Sequence, residues 1–196
     1  MLFRSIFCSC LNKESISTAQ KDKPLITYVN PFIGTGGHGH TYPGATMPFG
    51  MMQLSPDTRL DGWDGCSGYH YSDEYIYGFS HTHLSGTGVS DYGDILLMPT
   101  NEIVFNNGAD GKKGYRAHFS HDNEIAQPGY YAVYFDSTKI DVELTVSKRS
   151  GIHKYIFPKN SKQIVILDLE HRDEVIDSKV NMYSNTEIGG YRHSKS

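Results

Sequence analysis

Residues 61–73, here called the tryptophan loop, combine side chains that bind polar ligands. They include Trp63, the only tryptophan of the chain, and the polar residues Asp64 and His70. Glycines between them oppose a helix, and scattered polar side chains oppose a strand with one apolar face. An indole is a good platform for the apolar face of a sugar, and nearby carboxylates accept hydrogen bonds from its hydroxyls. The stretch therefore predicts an irregular loop that binds a sugar.

Other members of the tryptophan loop are assigned to the same surface. Tyr69, His70 and Tyr71 continue it, although both tyrosines would instead pack inside the protein if this part of the loop were a strand. Cys66 is included as a contact residue. Its alternative role is a nucleophilic thiolate, which requires an adjacent base and positive surroundings. No nucleophile-turn motif surrounds Cys66, so we favour binding.

His81 and His83 form a second signal. They are two residues apart in a strand-like stretch, and such residues share one face of a strand. Both imidazoles would then meet one ligand, either sugar hydroxyls or the surface of a neighbouring domain. With Asp91 or Asp94 they would form a zinc site, but short HxH pairs are common by chance and no further ligand is specified. We predict that both histidines contact substrate or a partner domain; the alternative is that they have a purely structural role.

Glycoside hydrolysis requires two carboxyl groups on either side of the scissile bond. None of the nearby carboxylates lies in a stretch apolar enough to raise its pKa, and their spacing names no acid–base pair. The candidates are Asp61, Asp64, Asp73, Glu74, Asp91 and Asp94.

Residues 34–39, here called the glycine loop, match the pattern GxGxxG after a possible strand. Dinucleotide binding requires a helix to begin at this point. Pro43 and Pro48 follow instead, and proline opposes a helix interior. We exclude a nucleotide site and expect the glycines to allow a close approach of the backbone to a ligand or another domain.

Composition excludes several classes of protein. The net charge of −4 and the pI near 6.2 provide no basic face, so we expect no nucleic-acid partner. The three cysteines, Cys8, Cys10 and Cys66, form no disulfide framework. No apolar run is long enough to predict a transmembrane segment.

Residues 1–24 are interpreted as a leader and linker. The apolar patch at its start is too short for the core of a secretory signal. Residues 7–10, with the sequence FCSC, faintly resemble the end of a bacterial lipoprotein signal with Cys10 as acceptor. The alternative is a clipped or misplaced start.

The remainder predicts an all-β protein. Val142, Leu144 and Val146 alternate with polar residues at the period of a half-buried antiparallel strand. Strands recur about every dozen residues between turns, which is typical of a β-sandwich. Residues 106–127 are predicted to be irregular or an edge, and residues 163–169 a central strand because both faces are apolar. The predicted strands are 25–30, 49–55, 75–83, 95–99, 102–105, 129–135, 140–146, 151–157 and 163–169.

Several motifs in order resemble the N-terminal domain of glycoside hydrolase family 92, over about residues 26–193. The resemblance rests on NPFIGTGGHGH (30–40), YPGATMPFG (42–50), GCSGYHYSD (65–73), GFSHTHLSGTG (78–88) and DYGD (91–94). These enzymes, many from Bacteroidetes, are exo-acting α-mannosidases. The resemblance implies an antiparallel β-sandwich of the galactose-mutarotase-like type over residues 25–196, which we expect to be incomplete at its C-terminal end.

The resemblance also implies a mechanism. The family is calcium-dependent and inverting, and cleaves terminal α-mannosyl linkages of mannose-containing glycans, often α-1,2. Its catalytic acid and base lie in a C-terminal (α/α)₆ helical domain, which we expect to be missing here with most calcium (Ca2+) ligands. Trp63, Asp64 and the loop to Tyr71 would line the sugar site at the cleft between the domains, which His81 and His83 would also face. Export to the periplasm, cell surface or medium is expected.

Two alternatives remain open. The chain would be a stand-alone carbohydrate-binding module if it binds sugar without belonging to a hydrolase. It would be a small metal hydrolase if His81 and His83 held a zinc ion.

Overall fold

The computed structural model describes residues 23–195 and is built almost entirely of antiparallel strands. Two short 3-10 turns, Leu25–Tyr28 and Trp63–Gly65, accompany twelve strands in this part of the chain. The predicted antiparallel β-sandwich is confirmed. The strands are β1 (Ala45–Thr46), β2 (Gln53–Asp57), β3 (Tyr75–Ile76), β4 (Gly78–Ser80), β5 (Leu96–Thr100), β6 (Ala117–Gln127), β7 (Tyr130–Phe135), β8 (Asp141–Val146), β9 (Gly151–Ile156), β10 (Ile164–Asp168), β11 (Glu174–Met182) and β12 (Ile188–Lys195).

One sheet has the strand order β3-β6-β7-β8-β9, and consecutive hairpins join its last four strands. Its sequence alternates as a half-buried sheet requires. Val142 and Leu144 are buried, while Asp141 and Thr145 are exposed. This alternation gives the sheet one apolar face.

The second sheet has the order β1-β2-β4-β5-β10 and packs against that apolar face. Phe79 of β4 stacks on Phe135 of β7, with ring centroids 5.9 Å apart. The chain passes from the first sheet to the second between β3 and β4, at Gly78. Its φ is +151°, and a Cβ there would lie 2.3 Å from Cδ2 of Leu96, so only glycine fits.

Strands β11 and β12 form a separate two-stranded hairpin. Arg192 of β12 attaches it to the second sheet, because its Nε donates to the carbonyl of Leu169 at 2.7 Å and its Nη1 forms an ion pair with Asp94. The hairpin therefore lies beside the end of β10.

The structure corrects three predicted segments. Leu25–Tyr28 forms a 3-10 turn instead of a strand, and residues 102–105 form no strand. Residues 117–127, within the segment predicted to be irregular or an edge, form a strand of eleven residues. Only Ala117 and His118 of this strand pair with β3, so most of it is an edge. β10 is an edge strand instead of a central one, with Val165 47% exposed.

Residues 1–22 lie outside the described residues, so the lipoprotein-like motif at Cys10 stays a prediction. In residues 23–195 no helix is both long and apolar enough to cross a membrane.

Candidate functional site

The tryptophan loop is closed at its two ends by an ion pair. Nη2 of Arg59 lies 2.5 Å from Oδ1 of Asp73, and Nε lies 3.2 Å from Oδ2 of the same carboxylate. The hydroxyl of Thr58 donates to Oδ2 at 2.9 Å. Because Asp73 is occupied in this way, it holds the loop and is not a free catalytic carboxylate.

A buried arginine from a distant part of the chain supports the middle of the loop. Nη2 of Arg172 donates to the carbonyl of Gly65 at 2.6 Å and to that of Arg59 at 3.2 Å. A Cβ at Gly65 would lie 2.7 Å from Cγ of Arg59, so a larger residue would displace the Arg59 side chain. The loop is therefore anchored along its length.

Trp63 presents its indole at the surface. It is 58% exposed, yet neighbouring rings hold it. His40 meets it edge-on with centroids 4.3 Å apart, and His38 lies 5.7 Å away. A Cβ on Gly88 would lie 2.3 Å from its Nε1, so the chain passes directly beside the indole. A fixed and exposed aromatic face is the geometry that sugar stacking requires.

Asp64 lies next to this ring and carries a negative charge. Nδ1 of His38 donates to its Oδ1 at 2.9 Å, and this hydrogen bond lowers the pKa of Asp64. The buried Nε2 of His40 lies 3.9 Å from the same oxygen and has no hydrogen-bond partner among residues 23–195. We call His38, His40, Trp63 and Asp64 the indole site. An ionised Asp64 can accept hydrogen bonds from hydroxyl groups, but it is a poor general acid.

The two histidines of the indole site were not among the predicted contacts. They lie on the glycine loop and immediately after it, over twenty residues from Trp63 in the sequence. The only available signal was the HGH motif in residues 38–40, which we interpreted only as part of a glycine-rich segment.

His70 supports the glycine loop from within. Its Nε2 donates to the carbonyl of Gly37 at 3.0 Å, and its Nδ1 lies 2.8 Å from the hydroxyl of Ser72. The glycine loop folds back on itself, because a Cβ on Gly39 would lie 2.1 Å from the carbonyl oxygen of Gly34. No helix begins there, as Pro43 and Pro48 predicted.

Two more predicted contacts of the tryptophan loop, Cys66 and Tyr69, are buried, as His70 is. The thiol of Cys66 donates to the carbonyl of Thr87 at 2.7 Å, and burial raises the pKa of this thiol. Tyr69 is fully buried and donates its hydroxyl to Glu124 at 3.0 Å. A ligand on the surface reaches neither side chain, so both predictions are corrected. The buried, protonated thiol also lacks the properties of a nucleophile.

His81 and His83 point in different directions because β4 ends at Ser80 and the chain bends there. His83 is buried, with Nδ1 donating to the carbonyl of Gln53 at 2.7 Å and Nε2 lying 3.3 Å from Oδ1 of Asp57. The prediction that the two imidazoles meet one ligand is therefore wrong, and His83 is not a substrate contact. The zinc alternative required both imidazoles to face one ion, and the structure does not place them in that way.

His81 instead belongs to a hydrogen-bonded chain that links the two sheets. Its Nδ1 donates to the carbonyl of Ile95, and its Nε2 accepts from Nε2 of His153 at 3.1 Å. The hydroxyl of Tyr155 donates to Nδ1 of His153 at 2.7 Å. This pattern requires both imidazoles to be neutral. Burial lowers the pKa of both histidines. Burial and the nearby His81 together hold the pKa of His153 at about 3.

An open pocket of about 540 Å³ lies elsewhere in the described residues. It is bounded by β10, β11 and the segment before β6, and none of the predicted contact residues lines it. The indole site is an open surface instead of a cavity, as expected for one wall of a larger site.

Comparisons with known proteins agree with these motifs. Residues 28–196 match the model of the glycosyl hydrolase family 92 N-terminal domain. The α-mannosidase BT3965 of Bacteroides thetaiotaomicron, solved in complex with mannoimidazole, is 40% identical with a TM-score of 0.80. The match covers 87% of this chain and 23% of that protein. The inverting mannosidase BT2199 of the same species is 28% identical with a TM-score of 0.73, over 89% of this chain and 24% of that one.

A curated relative from Arthroderma benhamiae is described as an uncharacterized secreted glycosidase. It is 30% identical over an alignment of 172 residues, and the match covers 83% of this chain and 22% of the relative. This chain thus spans less than a quarter of the length of each of these relatives. It belongs to glycosyl hydrolase family 92, in which residues 28–196 match the N-terminal domain.

Proposed function

We propose that this chain is the sugar-contacting N-terminal part of an inverting α-mannosidase that acts on terminal α-1,2-linked mannose. The observation that carries the proposal is the indole site, where an exposed Trp63 is fixed next to an ionised Asp64. The similarity to BT3965, solved with mannoimidazole, supports mannose as the sugar. The secreted relative supports export of the enzyme.

Three of the candidate carboxylates have other partners. Asp64 accepts a hydrogen bond from His38, Asp73 pairs with Arg59, and Asp94 pairs with Arg192. An inverting glycosidase needs one carboxyl group as acid and another as base on opposite sides of the sugar. In our proposal that pair belongs to the part of the enzyme that this chain does not cover.

Calcium binding requires six to eight oxygen ligands around one point. Residues 23–195 contain no group of three or more His, Cys, Asp or Glu side chains with the arrangement of a metal site. The described residues therefore offer no cluster of carboxylates for a calcium ion. Within the proposal, calcium dependence comes from ligands outside the described residues.

We expect the purified 196-residue chain to hydrolyse no α-1,2-mannobiose, with or without added calcium. The physical reason is that Asp64 is an ionised hydrogen-bond acceptor without a partner acid. Mannose release is measured by chromatography against a full-length family member as positive control. Turnover that a chelator abolishes would contradict our assignment of catalysis to another part of the enzyme.

The stacking role of Trp63 is tested by titrating the chain with α-1,2-mannobiose. Because Trp63 is the only tryptophan, its fluorescence and its indole N–H signal in NMR report directly on the site. We expect Trp63→Ala to weaken binding, measured by calorimetry, about tenfold through loss of the stacking surface.

Phe105→Ala is the matched control, because Phe105 is also an exposed aromatic residue but is not part of the indole site. It should leave the affinity unchanged. Equal affinities for the wild type and Trp63→Ala would refute the stacking role.

A further inference from the structure

A second exposed aromatic ring lies on the other side of the glycine loop. Tyr71 is 45% exposed, and its ring lies parallel to that of His121, with centroids 4.0 Å apart and an angle of 9° between the planes. The edge of a third ring, Phe32, lies 5.8 Å away at 73°. His121 covers one face of the Tyr71 ring, so the exposed surface of Tyr71 lies on the part of the ring that His121 does not cover.

A buried carboxylate fixes His121 beneath this ring. Nδ1 of His121 donates to Oε2 of Glu124 at 2.7 Å. The side chain of Glu124 is fully buried and also accepts hydrogen bonds from Tyr69 at 3.0 Å and Tyr131 at 2.6 Å. Three donors hold the carboxylate in one orientation, and its bond to Nδ1 in turn fixes the plane of the imidazole.

A local feature of β6 makes this arrangement possible. The strand shifts its register between Phe119 and Glu124. Both residues therefore point inward, although in a regular strand their odd spacing would place them on opposite faces. A β-bulge redirects side chains in this way. Without it, Glu124 would face solvent and His121 would lose its support.

The glycine loop connects the two aromatic surfaces. Its His38 contacts the Trp63 side, while the carbonyl of Thr35 accepts a hydrogen bond from the backbone N–H of Tyr71 at 2.8 Å. A Cβ on Gly36 would lie 3.6 Å from Cβ of Tyr71. Both rings thus contact the same short segment, Trp63 through His38 and Tyr71 through Thr35 and Gly36.

We propose that Tyr71 is a second sugar-stacking site, for another residue of the oligosaccharide bound at Trp63, and that His121 and Glu124 position it. The inference rests on the proposed function. Two fixed aromatic faces joined by backbone match a ligand with successive apolar faces and polar edges, which describes an oligosaccharide. Because the ring is held in place before binding, little conformational entropy is lost when a sugar stacks on it.

The test measures the affinity of the 196-residue chain for mannose and for α-linked mannobiose, mannotriose and mannotetraose by calorimetry. We expect affinity to rise with ligand length, and the ratio of the mannotetraose affinity to the mannose affinity to fall about fivefold in Tyr71→Ala. Tyr71→Phe keeps the ring and should retain the gain. Trp63→Ala should weaken binding of every ligand.

The positioning role of His121 has its own pair of variants. His121→Phe retains a flat ring under Tyr71 and should keep most of the gain with length, whereas His121→Ala should lose it. Thermal unfolding of each variant by circular dichroism confirms that it is folded before its affinity is compared.

The outcomes separate the inference from the proposed function. If mannose binding depends on Trp63 but Tyr71→Ala leaves the gain with length intact, the second site is refuted and the proposed function stands. If the wild-type chain binds none of the four ligands, the proposed function fails and the inference falls with it.

Discussion

Acidification from about pH 7 to about pH 4.5 is expected to lower the free energy of unfolding by about 2–3 kcal/mol through His153 alone. The pKa of His153 is about 3 in the folded protein, against an ordinary value of 6.5. The unfolded chain therefore binds the proton more tightly than the folded chain. The stability is complete above pH 6.5 and is lost progressively as the pH falls toward 3.

The structural reason is the neutral hydrogen-bonded chain that joins the two sheets. A second proton on His153 would replace the lone pair that accepts from Tyr155 with a charged donor, in a buried place. His81 adds to the effect in the same direction, because burial lowers its pKa too.

Urea unfolding at several pH values between about 7 and 4.5 measures this dependence. His153→Gln keeps a donor toward His81 but does not titrate, so its stability should change much less with pH. His193→Gln is the matched control, since His193 is exposed and should keep the wild-type pH dependence. Asp57 does not interfere: burial raises its pKa, but His83, His171 and Arg172 outweigh burial and hold it at about 2. Identical slopes for the wild type and His153→Gln would contradict the assignment.

Replacement of Glu124 by alanine is expected to destabilise the fold by about 3 kcal/mol. Truncation leaves the hydroxyls of Tyr69 and Tyr131 and the Nδ1 of His121 without their acceptor. The two tyrosines are fully buried, so water cannot replace the lost carboxylate without opening the core.

Glu143→Ala is the matched control for this change. Glu143 lies on β8 and pairs with Lys154 at the surface, at 2.7 Å between Oε1 and Nζ. Pairs of this kind contribute little, so its loss should cost less than about 1 kcal/mol. Denaturant unfolding compares the two variants, and a similar small loss in both would show that Glu124 is dispensable for stability.

Strands with regular alternation were predictable from sequence, and interrupted ones were not. The predictions for β7, β8 and β9 were correct to within one residue, because each strand alternates without a break. In β6 the register shift between Phe119 and Glu124 changes which alternate residues point inward. The sequence of β6 therefore shows no consistent alternation of buried and exposed positions along the whole strand. Leu25–Tyr28 has the composition of a strand, but Pro24 and Pro31 bracket it and it pairs with no strand in the described structure.

The error at β10 has a different cause. Its apolar composition on both faces predicted a central strand, but Val165 is exposed and the strand lies at a sheet edge. Composition reports how apolar a strand is, whereas its position depends on which segments pair with it.

Only part of the candidate site could be predicted from the sequence. Trp63 and Asp64 could be found because an aromatic residue and a carboxylate among glycines are a local signal. His38 and His40 are distant in the sequence and come close to Trp63 and Asp64 only in the folded protein. Cys66, Tyr69 and His83 are residue types that often occur in binding sites, but their side chains point into the protein. Residue type predicts what a side chain could bind, but the direction of a loop residue is set by distant contacts.

The position of Arg172 in the sequence affects the order in which parts of the protein fold during synthesis. Arg172 holds the carbonyl of Gly65, 107 residues earlier in the chain. Since synthesis proceeds from the N-terminus, the tryptophan loop leaves the ribosome long before its supporting guanidinium exists. Hairpins β6–β9 need only local pairing and can form in the meantime. The tryptophan loop is therefore completed at a late stage of folding, when the chain after β10 returns to it.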